Sequence, residues 1–423
     1  MNSIIIKPSK LRGTITPPPS KSLSHRAIIS SSLCNDDQES YIDNVILSDD
    51  IEATINGMKR LGAKIEITEK DNNVYSLRIK GNNNQILKNV NIDCKESGST
   101  LRFIIPVALI LAENSTFTGQ GKLIERPLDV YYKIFDKNNI KYENSNGNLP
   151  LSIHGNLHGG TYELSGGVSS QFISGLLFAL PLLNKDSVIR ITDKMESMGY
   201  IDLTLDILKK FNINIHNNNY KEFKIYENSQ YKSTSYSVES DYSQAAFFLT
   251  ADAIGNDVNC IGLRYNSLQG DKEIVDIIER FKSAVKGDEI IIDASQIPDL
   301  VPILTVLGSL KNNITTKIIN AKRLRIKESD RLKAIATEMN KLGANITELE
   351  HGLLIKGQNK IKGNATVNSW NDHRIAMSLA IAATKCEDEI ILENYSAVNK
   401  SYPQFWNDYK HLGGTVIELD MGK

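Results

Sequence analysis

Apolar residues recur at helical spacing between Ser48 and Leu61, which is the clearest amphipathic pattern in the chain. Their three-four spacing predicts a helix that buries one face. Ser48 can cap the N-terminus of this helix, and Gly62 can supply the left-handed residue that ends it. Residues 64–67 then alternate between polar and apolar side chains, which predicts a β-strand.

The same order of cap, amphipathic helix, glycine and strand recurs along the chain. A second copy begins at Ser329-Asp330, ends at Gly343 and continues into Asn345-Ile346. Fainter copies begin near Pro127, Tyr200, Gly270 and Tyr402. The copies lie roughly 60–80 residues apart, which is too long for a solenoid repeat but fits a unit of two helices and several short strands. From these six copies we predict six α/β units, three in each of two domains. The alternative is that the copies are a coincidence, because amphipathic helices that end in glycine are common.

The first polar motif, at residues 17–26, reads PPPSKSLSHR. Its prolines exclude a helix before Ser20, and Ser20 or Ser22 can cap the helical run at residues 27–33. Free N–H groups, the helix dipole and the cation Lys21 would together suit a phosphate. An ordinary capped surface helix would have the same pattern.

A second motif, Gly166-Gly167-Val168-Ser169-Ser170-Gln171, opens a helix predicted at residues 172–183. Its glycines allow close backbone approach, and its hydroxyl and amide groups could hold a phosphate or a polyol. A plain N-cap after a turn is the alternative.

The third motif covers residues 322–331, where cations alternate with apolar residues. This alternation predicts a strand that runs into a helix, with Lys327, Glu328 and Arg331 around the helix start. Cations beside a carboxylate can hold a phosphate and also move a proton. A solvated basic face is the alternative.

Further ionisable residues stand where loops meet predicted elements. Arg126, Arg374 and Lys400 are cations in such positions. Asp299 lies between two apolar runs, so we expect it to be partly buried and its pKa to be raised.

Composition narrows the class of protein. The chain has 423 residues, with 49 Lys and Arg against 50 Asp and Glu, and a net charge of −1, which argues against a broad nucleic-acid surface. The N-terminus has no signal-peptide pattern, and the apolar stretches are too short to span a bilayer. Four scattered cysteines without a CxxC motif indicate reduced thiols. His154 and His158 are four residues apart, but Gly155, Gly159 and Gly160 would break a helix there, which predicts a turn rather than a metal site.

The motifs PSKSLSHR, ERPL, SSQF, GYIDLTL, IPD, RIKESDR, NDHR and KSYP occur in this order over nearly the whole chain. As a set they closely resemble the 5-enolpyruvylshikimate-3-phosphate synthase family. The resemblance implies an α/β fold of two similar lobes, each of three βαββαβ units in an inside-out α/β barrel. It places residues 1–20 and 239–423 in one lobe, residues 21–238 in the other, and the active site in the cleft between them.

The resemblance also implies an activity. Members transfer the enolpyruvyl group of phosphoenolpyruvate to the 5-hydroxyl of shikimate 3-phosphate through a tetrahedral ketal, in the pathway to chorismate and the aromatic amino acids. It implies a cytoplasmic monomer that uses small-molecule substrates, no cofactor, no metal, no nucleic acid and no membrane. The family includes the target of glyphosate. Residues 96–99 read Glu-Ser-Gly-Ser, where many members have Asn-Ala-Gly-Thr, and Arg323 stands where some members have Asn.

The family's site residues carry over where the motifs match. Asp299 is expected to be the base for the hydroxyl, with Glu328 and Lys21 competing as the acid at C3. Arg102 is expected to support the loop at Gly98. The expected substrate-binding residues are Lys21, Ser22, Arg26, Gly98, Arg126, Ser169, Ser170, Gln171, Ser197, Tyr200, Asp299, Arg323, Lys327, Arg331, Arg374 and Lys400.

Three other functions fit parts of the pattern. A transferase of enolpyruvate to UDP-N-acetylglucosamine shares the fold, but it has a Lys-Asn pair where this chain has Lys21-Ser22, and often a loop cysteine that the region of Arg126 lacks. An RNA 3′-phosphate cyclase uses related repeats but needs a basic RNA surface. A catalytically inactive binding protein would not be expected to keep every cation and both carboxylates.

Overall fold

The chain folds into two compact units. The computed structural model describes residues 2–70, 73–83 and 85–419. The first unit comprises Met1–Pro18 and Ser240–Lys423, and the second unit comprises Pro19–Glu239. Each unit has a hydrophobic core of its own. The chain therefore leaves the first unit after Pro18 and returns to it at Ser240.

The described α-helices of the second unit are α1 (Lys21–Ser32), α2 (Asp49–Arg60), α3 (Gly98–Leu111), α4 (Asp129–Lys137), α5 (Ser170–Ala179) and α6 (Met198–Lys210). Those of the first unit are α7 (Tyr242–Ala253), α8 (Ile274–Ser283), α9 (Val301–Ser309), α10 (Arg331–Lys341), α11 (His373–Ala383) and α12 (Phe405–His411). Along these helices no segment is long and apolar enough to cross a membrane.

The described strands of the second unit are β3 (Ser40–Val45), β4 (Lys64–Glu69), β5 (Tyr75–Lys80), β6 (Leu87–Asp93), β7 (Ala112–Thr118), β8 (Lys141–Ser145), β9 (Asn148–His154), β10 (Thr161–Leu164), β11 (Ser187–Ile191), β12 (Ile215–Asn218), β13 (Glu222–Ile225) and β14 (Ser235–Ser237). Those of the first unit are β1 (Ser3–Lys7), β2 (Arg12–Ile15), β15 (Asp257–Cys260), β16 (Glu289–Asp293), β17 (Thr315–Ile319), β18 (Asn345–Leu349), β19 (Gly352–Lys356), β20 (Ala365–Asn368), β21 (Ile390–Glu393) and β22 (Thr415–Leu419).

The helices are of two kinds, which alternate along the chain. Odd-numbered helices are buried almost all round, and every residue of α9 and α11 is buried. Even-numbered helices bury only one stripe, as α2 and α10 do. A helix that is apolar on all sides belongs in a core, whereas an amphipathic helix covers one. The odd-numbered helices therefore form the centre of each unit.

The sheets share one strand order. In the second unit the orders are β14-β3-β5-β4, β6-β7-β9-β8 and β10-β11-β13-β12, and in the first unit they are β16-β17-β19-β18 and β20-β21-β1-β22, with the two-stranded pair β15-β2. In each four-stranded sheet the first two strands are parallel and the remaining pairs are antiparallel.

The repeats that begin at β6, β10 and β16 follow the order strand, buried helix, strand, amphipathic helix, hairpin, as in β6-α3-β7-α4-β8-β9, whereas the repeat with the pair β15-β2 has no described hairpin. The α/β class expected from the sequence is confirmed, but the order within a unit is βαβαββ rather than the expected βαββαβ. The physical reason is that parallel strands need a helical crossover, while antiparallel neighbours need only a short turn. Three described strands pair with strands from distant parts of the chain: β1 completes the β20 sheet, β14 completes the β3 sheet, and β2 pairs with β15.

The predicted amphipathic helices are confirmed. Ser48 caps α2 and Gly62 follows it at φ 95°, while Asp330 caps α10 and Gly343 follows it at φ 93°. The four fainter copies correspond to α4, α6, α8 and α12. The pattern worked because the cap, the stripe and the final glycine lie within one short segment.

Candidate active site

A buried guanidinium organises the ionisable residues of the first unit. Arg331 opens α10, and only 1% of its side chain is exposed. Its nitrogens donate to Asp299 at 2.7 Å, to Glu328 at 2.7 Å and to Asp372 at 2.8 Å. We call this group, together with Arg374, the Arg331 cluster. The fork of a guanidinium has enough donors for three carboxylates, which a lysine could not arrange in the same plane.

Asp299 also contacts a second arginine. It lies in the 3₁₀ turn Pro298–Leu300 before α9, and 19% of its side chain is exposed. Arg374 lies 3.2 Å from its carboxylate and donates to its backbone carbonyl at 3.0 Å. Burial by itself would raise the pKa of Asp299, but the positive charges of Arg374, Lys327 and Arg331 hold it well below its ordinary value. The expected rise in this pKa was therefore wrong, because three cations converge there from other elements.

Asp372 contacts both arginines of the cluster, Arg331 through its side chain and Arg374 through its backbone N–H. It is fully buried, and it accepts from Ser329 Oγ at 3.0 Å as well as from Arg331. It also caps α11 by accepting from the backbone N–H of Arg374 at 2.9 Å. Sequence analysis did not single out this aspartate, although its place before the apolar run of α11 is an N-cap signal.

The first unit contains three further predicted site residues, which are Lys327, Arg323 and Lys400. Lys327 follows the 3₁₀ helix Lys322–Ile326, so the strand predicted for this segment was wrong. The alternation of cations and apolar residues is also compatible with a short turn here, because Leu324 is the only buried residue of this 3₁₀ helix. Arg323 donates to the carbonyl of Ser295, upstream of Asp299. Lys400 is 7% exposed and donates to the carbonyl of Asn371 at 2.6 Å.

Asp271 is a carboxyl that sequence analysis missed. It lies in the 3₁₀ turn before α8, is 3% exposed, and accepts from the hydroxyl of Ser243. Burial raises the pKa of Asp271 to about 7, and the charge of Asp299 adds to the shift, while Arg374 opposes it. Asp271 lies near the end of the connection between β15 and α8, and no local pattern in the sequence marks it as a site residue.

In the second unit, predicted residues gather at the start of α1. Ser20 caps this helix, and Lys21 pairs with Asp50 of α2 at 2.7 Å. Arg26 is 2% exposed and donates to the carbonyl of Ser22, to the hydroxyl of Thr204 and to the carbonyl of Tyr200. Arg26 therefore connects α1 to α6. Burial lowers its pKa to about 10, so it stays charged at neutral pH.

In the same unit, hydrogen bonds connect the first turns of α3 and α5. Gln171 donates to Ser99 Oγ at 2.9 Å and accepts from Arg102 at 2.8 Å. The expected support of this region by Arg102 therefore takes the form of a bond to α5. A side chain at Gly98 would place its Cβ 2.6 Å from a nitrogen of Arg126, so the glycine allows that guanidinium to approach the helix start.

The remaining predicted residues lie at the openings of α5 and α6. Ser169 caps α5, and Ser170 is its first residue. Ser197 precedes α6 in the left-handed region at φ 55°, and Tyr200 lies in the first turn of α6. The aromatic ring of Tyr200 lies 5.9 Å from the guanidinium of Arg26. The second unit thus places hydroxyl, amide and cationic groups at the N-termini of α1, α3, α5 and α6, an arrangement that suits anions.

The carboxylates of the first unit do not resemble a metal centre. Within residues 2–70, 73–83 and 85–419, no group of three or more His, Cys, Asp or Glu side chains could hold a metal ion. The carboxylates of the Arg331 cluster are paired with guanidinium groups instead.

Comparisons with known proteins agree over the whole chain. The family model described as EPSP synthase (3-phosphoshikimate 1-carboxyvinyltransferase) matches residues 5–409. The chain is 53% identical to a 3-phosphoshikimate 1-carboxyvinyltransferase of Clostridium novyi and 52% identical to one of Clostridium acetobutylicum, with 100% of both chains covered in each case. Its fold is similar to that of an EPSP synthase from Acinetobacter baumannii, with a TM-score of 0.78 and 22% identity over 99% of this chain and 100% of the other. The chain therefore belongs to the EPSP synthase (3-phosphoshikimate 1-carboxyvinyltransferase) family.

Proposed function

We propose that this protein transfers the enolpyruvyl group of phosphoenolpyruvate to the 5-hydroxyl of shikimate 3-phosphate and releases phosphate, as a step of aromatic amino acid biosynthesis. Full-length membership of the family supports this function. The observation that carries it is the convergence of buried cations in a chain whose net charge is only −1. Two anionic substrates need such local positive charge.

We assign the phosphoenolpyruvate contacts to the cations and small groups that the family's motifs carry over. Guanidinium groups bind carboxylate and phosphate oxygens in pairs, and lysines add point charges. The assigned residues are Lys21, Gly98, Arg126, Gln171, Arg331, Arg374 and Lys400. Gly98 contributes close backbone approach beside Arg126.

We assign the shikimate 3-phosphate contacts to hydroxyl and amide groups at helix starts and to one lysine, again as the family's motifs carry them over. Hydroxyl side chains at helix starts can donate to a phosphate and accept from the ring hydroxyls of the substrate. The assigned residues are Ser169, Ser170, Gln171, Ser197, Tyr200 and Lys327. Ser22 and Arg26 are assigned to substrate contact at the start of α1, and Arg323 to substrate contact or to support of the Asp299 loop.

We assign Asp299 as the base for the 5-hydroxyl. With its pKa lowered by the neighbouring cations it is ionised at neutral pH, but it is a weak base in this state. An anionic substrate bound to the same arginines would offset their charge and raise the basicity of Asp299 when it is needed. Glu328, held by Arg331, and Lys21, held by Asp50, are the two candidates for the acid at C3.

The reaction balances in two steps. The 5-hydroxyl oxygen attacks C2 of phosphoenolpyruvate, its proton passes to the base, and C3 accepts a proton to become a methyl group. The tetrahedral ketal then loses phosphate from C2 and a proton from C3, which restores the double bond. The groups assigned here move only protons and stabilise negative charge.

The test is phosphate release from phosphoenolpyruvate with and without shikimate 3-phosphate, in EDTA. Release that depends on shikimate 3-phosphate and persists with the chelator would support this function without a metal. Phosphate release only with UDP-N-acetylglucosamine as the acceptor would replace the proposed function with the sister activity. If no phosphate were released with either acceptor, the proposed function would be refuted.

Asp299→Ala and Lys21→Ala should each lower kcat by about 10²–10⁴-fold. Full turnover in both variants would refute the site assignment.

We also propose that the protein works as a cytoplasmic monomer on small molecules alone. The near-neutral charge supports this, since a nucleic-acid partner would favour a basic surface. Light scattering at working concentration should give a mass near 47.1 kDa. A mass of twice that value would refute the monomer.

A further inference from the structure

Two consecutive residues in an unusual conformation stand directly before the Asp372–Arg374 segment. Trp370 and Asn371 both have φ 54°, in the left-handed region. Asparagine tolerates this conformation, but a bulky aromatic residue rarely adopts it. Such a conformation persists only where surrounding contacts over-determine it, and these positions cluster at functional sites.

The contact that holds Trp370 comes from a buried carboxylate on α10. Glu338 is 1% exposed, and its Oε1 accepts from the indole N–H of Trp370 at 2.8 Å. Its other oxygen accepts from the backbone N–H of Asn368 at 3.1 Å. Asn368 Oδ1 in turn accepts from the backbone N–H of Trp370 at 2.7 Å. Glu338 thus fixes this turn both through the indole and through the backbone before it.

The turn held in this way leads to two assigned substrate contacts. The carbonyl of Asn371 accepts from Lys400 Nζ at 2.6 Å, so the path of the turn decides where that ammonium group lies. The next residue, Asp372, caps α11 through the N–H of Arg374 and binds Arg331. A rotation at Trp370 would therefore displace Lys400, Arg374 and Arg331 together.

We propose that Glu338 is a positioning residue for anion binding, which sets the places of Lys400 and Arg374 by holding the left-handed Trp370–Asn371 turn. The proposal rests on the proposed function, because phosphoenolpyruvate is the anion assigned to these two cations. Among the described residues, three groups donate to the carboxylate of Glu338: the indole N–H of Trp370, the backbone N–H of Asn368 and, on its own helix, the ammonium of Lys341, which lies 2.8 Å from Oε2. The side chain of Lys341 is 44% exposed, and within the described part of the chain its ammonium pairs with Glu338 and forms no hydrogen bond with residues 368–371, so Lys341 serves as the control.

The test compares four variants with the wild type. Trp370→Phe keeps an aromatic side chain but removes the N–H that Glu338 accepts, together with one ring of the indole, so kcat/KM for phosphoenolpyruvate should fall about threefold to tenfold. Glu338→Ala removes both acceptors and should lower it about 10- to 100-fold. Glu338→Gln keeps one acceptor oxygen and should recover part of that loss. Lys341→Met should match the wild type within about twofold.

A second measurement separates positioning from general damage to the fold. The affinity for shikimate 3-phosphate, measured by calorimetry without phosphoenolpyruvate, should stay within about twofold of wild type in Trp370→Phe, because its assigned contacts lie mainly in the second unit. Equal losses of affinity for both substrates in step with a fall in Tm would overturn the proposal and leave Glu338 a structural residue. Wild-type kinetics in Trp370→Phe and Glu338→Gln would overturn it as well.

The failure of the proposed function can be told apart from the failure of this inference. If the wild type released no phosphate with shikimate 3-phosphate, the proposed function would fail. The positioning role of Glu338 would then be tested by the binding of inorganic phosphate. Weaker phosphate binding in Trp370→Phe and Glu338→Ala than in the wild type and Lys341→Met would still support the positioning role. Equal phosphate affinity in all of these proteins would refute it.

Discussion

Asp372 shows how much of this molecule depends on single buried charges. Its carboxylate has no exposed surface and binds Arg331, whose side chain is 1% exposed. Two charges at such depth are compatible with folding only because each has the other and further hydrogen bonds. Removing Asp372 takes away the one fully buried carboxylate of the three that pair with Arg331 and leaves only the partly exposed Asp299 and Glu328.

We therefore expect Asp372→Asn to destabilise the protein by about 3 kcal/mol, since an amide cannot replace a carboxylate beside a buried guanidinium. Urea unfolding measures the change. Glu163→Gln breaks an exposed pair with Lys137 and should leave the unfolding free energy unchanged within error, so it serves as the control. Equal effects in the two variants would mean that the buried pair adds nothing.

Asp271 should make stability depend on pH. Because burial raises its pKa to about 7, the folded protein keeps this proton in a range where the unfolded chain, with a carboxyl pKa near ~3.9, has lost it. A raised carboxyl pKa gives a stability contribution that falls as pH rises between about 4 and about 7. Asparagine carries no such proton, so the unfolding free energy of the wild type should fall relative to Asp271→Asn across that window. Parallel curves in urea titrations from pH 4 to pH 8 would contradict the assignment.

At the scale of elements, the buried helices α3 and α5 meet at a glycine. A Cβ at Gly175 would collide with the carbonyl of Arg102 and with the hydroxyl of Tyr131. That hydroxyl already donates to the same carbonyl at 2.5 Å, so neither group has room to withdraw. The close packing of these helices also sets the distance over which Arg102 reaches Gln171.

Gly175→Ala should accordingly destabilise the protein by about 1–3 kcal/mol through overpacking. Gly167→Ala is the matched control on the same segment, because its nearest neighbour would be 3.7 Å from the added Cβ. Thermal unfolding should show a lower Tm for the first variant and a nearly unchanged Tm for the second. Similar values for both would show that the helices can separate without cost.

The whole molecule has one continuous unit and one interrupted unit. The second unit is a single stretch, Pro19–Glu239, whereas the first needs the N-terminal residues to complete its sheets. β1 is an interior strand that pairs with both β21 and β22, and β2 pairs with β15. Without them, β21 and β22 would have no strand to join them and would expose their edges.

We expect residues 19–239 alone to unfold cooperatively, and residues 240–419 alone to fail to fold. Restoring residues 2–18 behind a short glycine linker at Leu419 should rescue the second fragment, because Ser3 and Leu419 are already cross-strand partners. Circular dichroism with urea titration of the three fragments measures this. Cooperative unfolding of residues 240–419 without β1 would contradict it.

The sequence by itself determined the features that short segments encode. The caps Ser48 and Asp330, the amphipathic stripes after them and the closing glycines predicted α2 and α10, and the ordered motifs predicted the family. The signals for each helix lie within about fifteen residues, where local sterics, capping and helical periodicity act. The family was predicted from short motifs whose order extends over nearly the whole chain.

Only the tertiary structure decided how the elements and charges meet. Buried helices such as α9 carry no polar face, so periodicity does not reveal them, and pairing with remote β1 and β14 follows no local pattern. Arg331 binds Asp299 and Asp372 across 32 and 41 residues of sequence. A pKa depends on burial and on every nearby charge, which is why Asp299 was expected to titrate high and the fold holds it low.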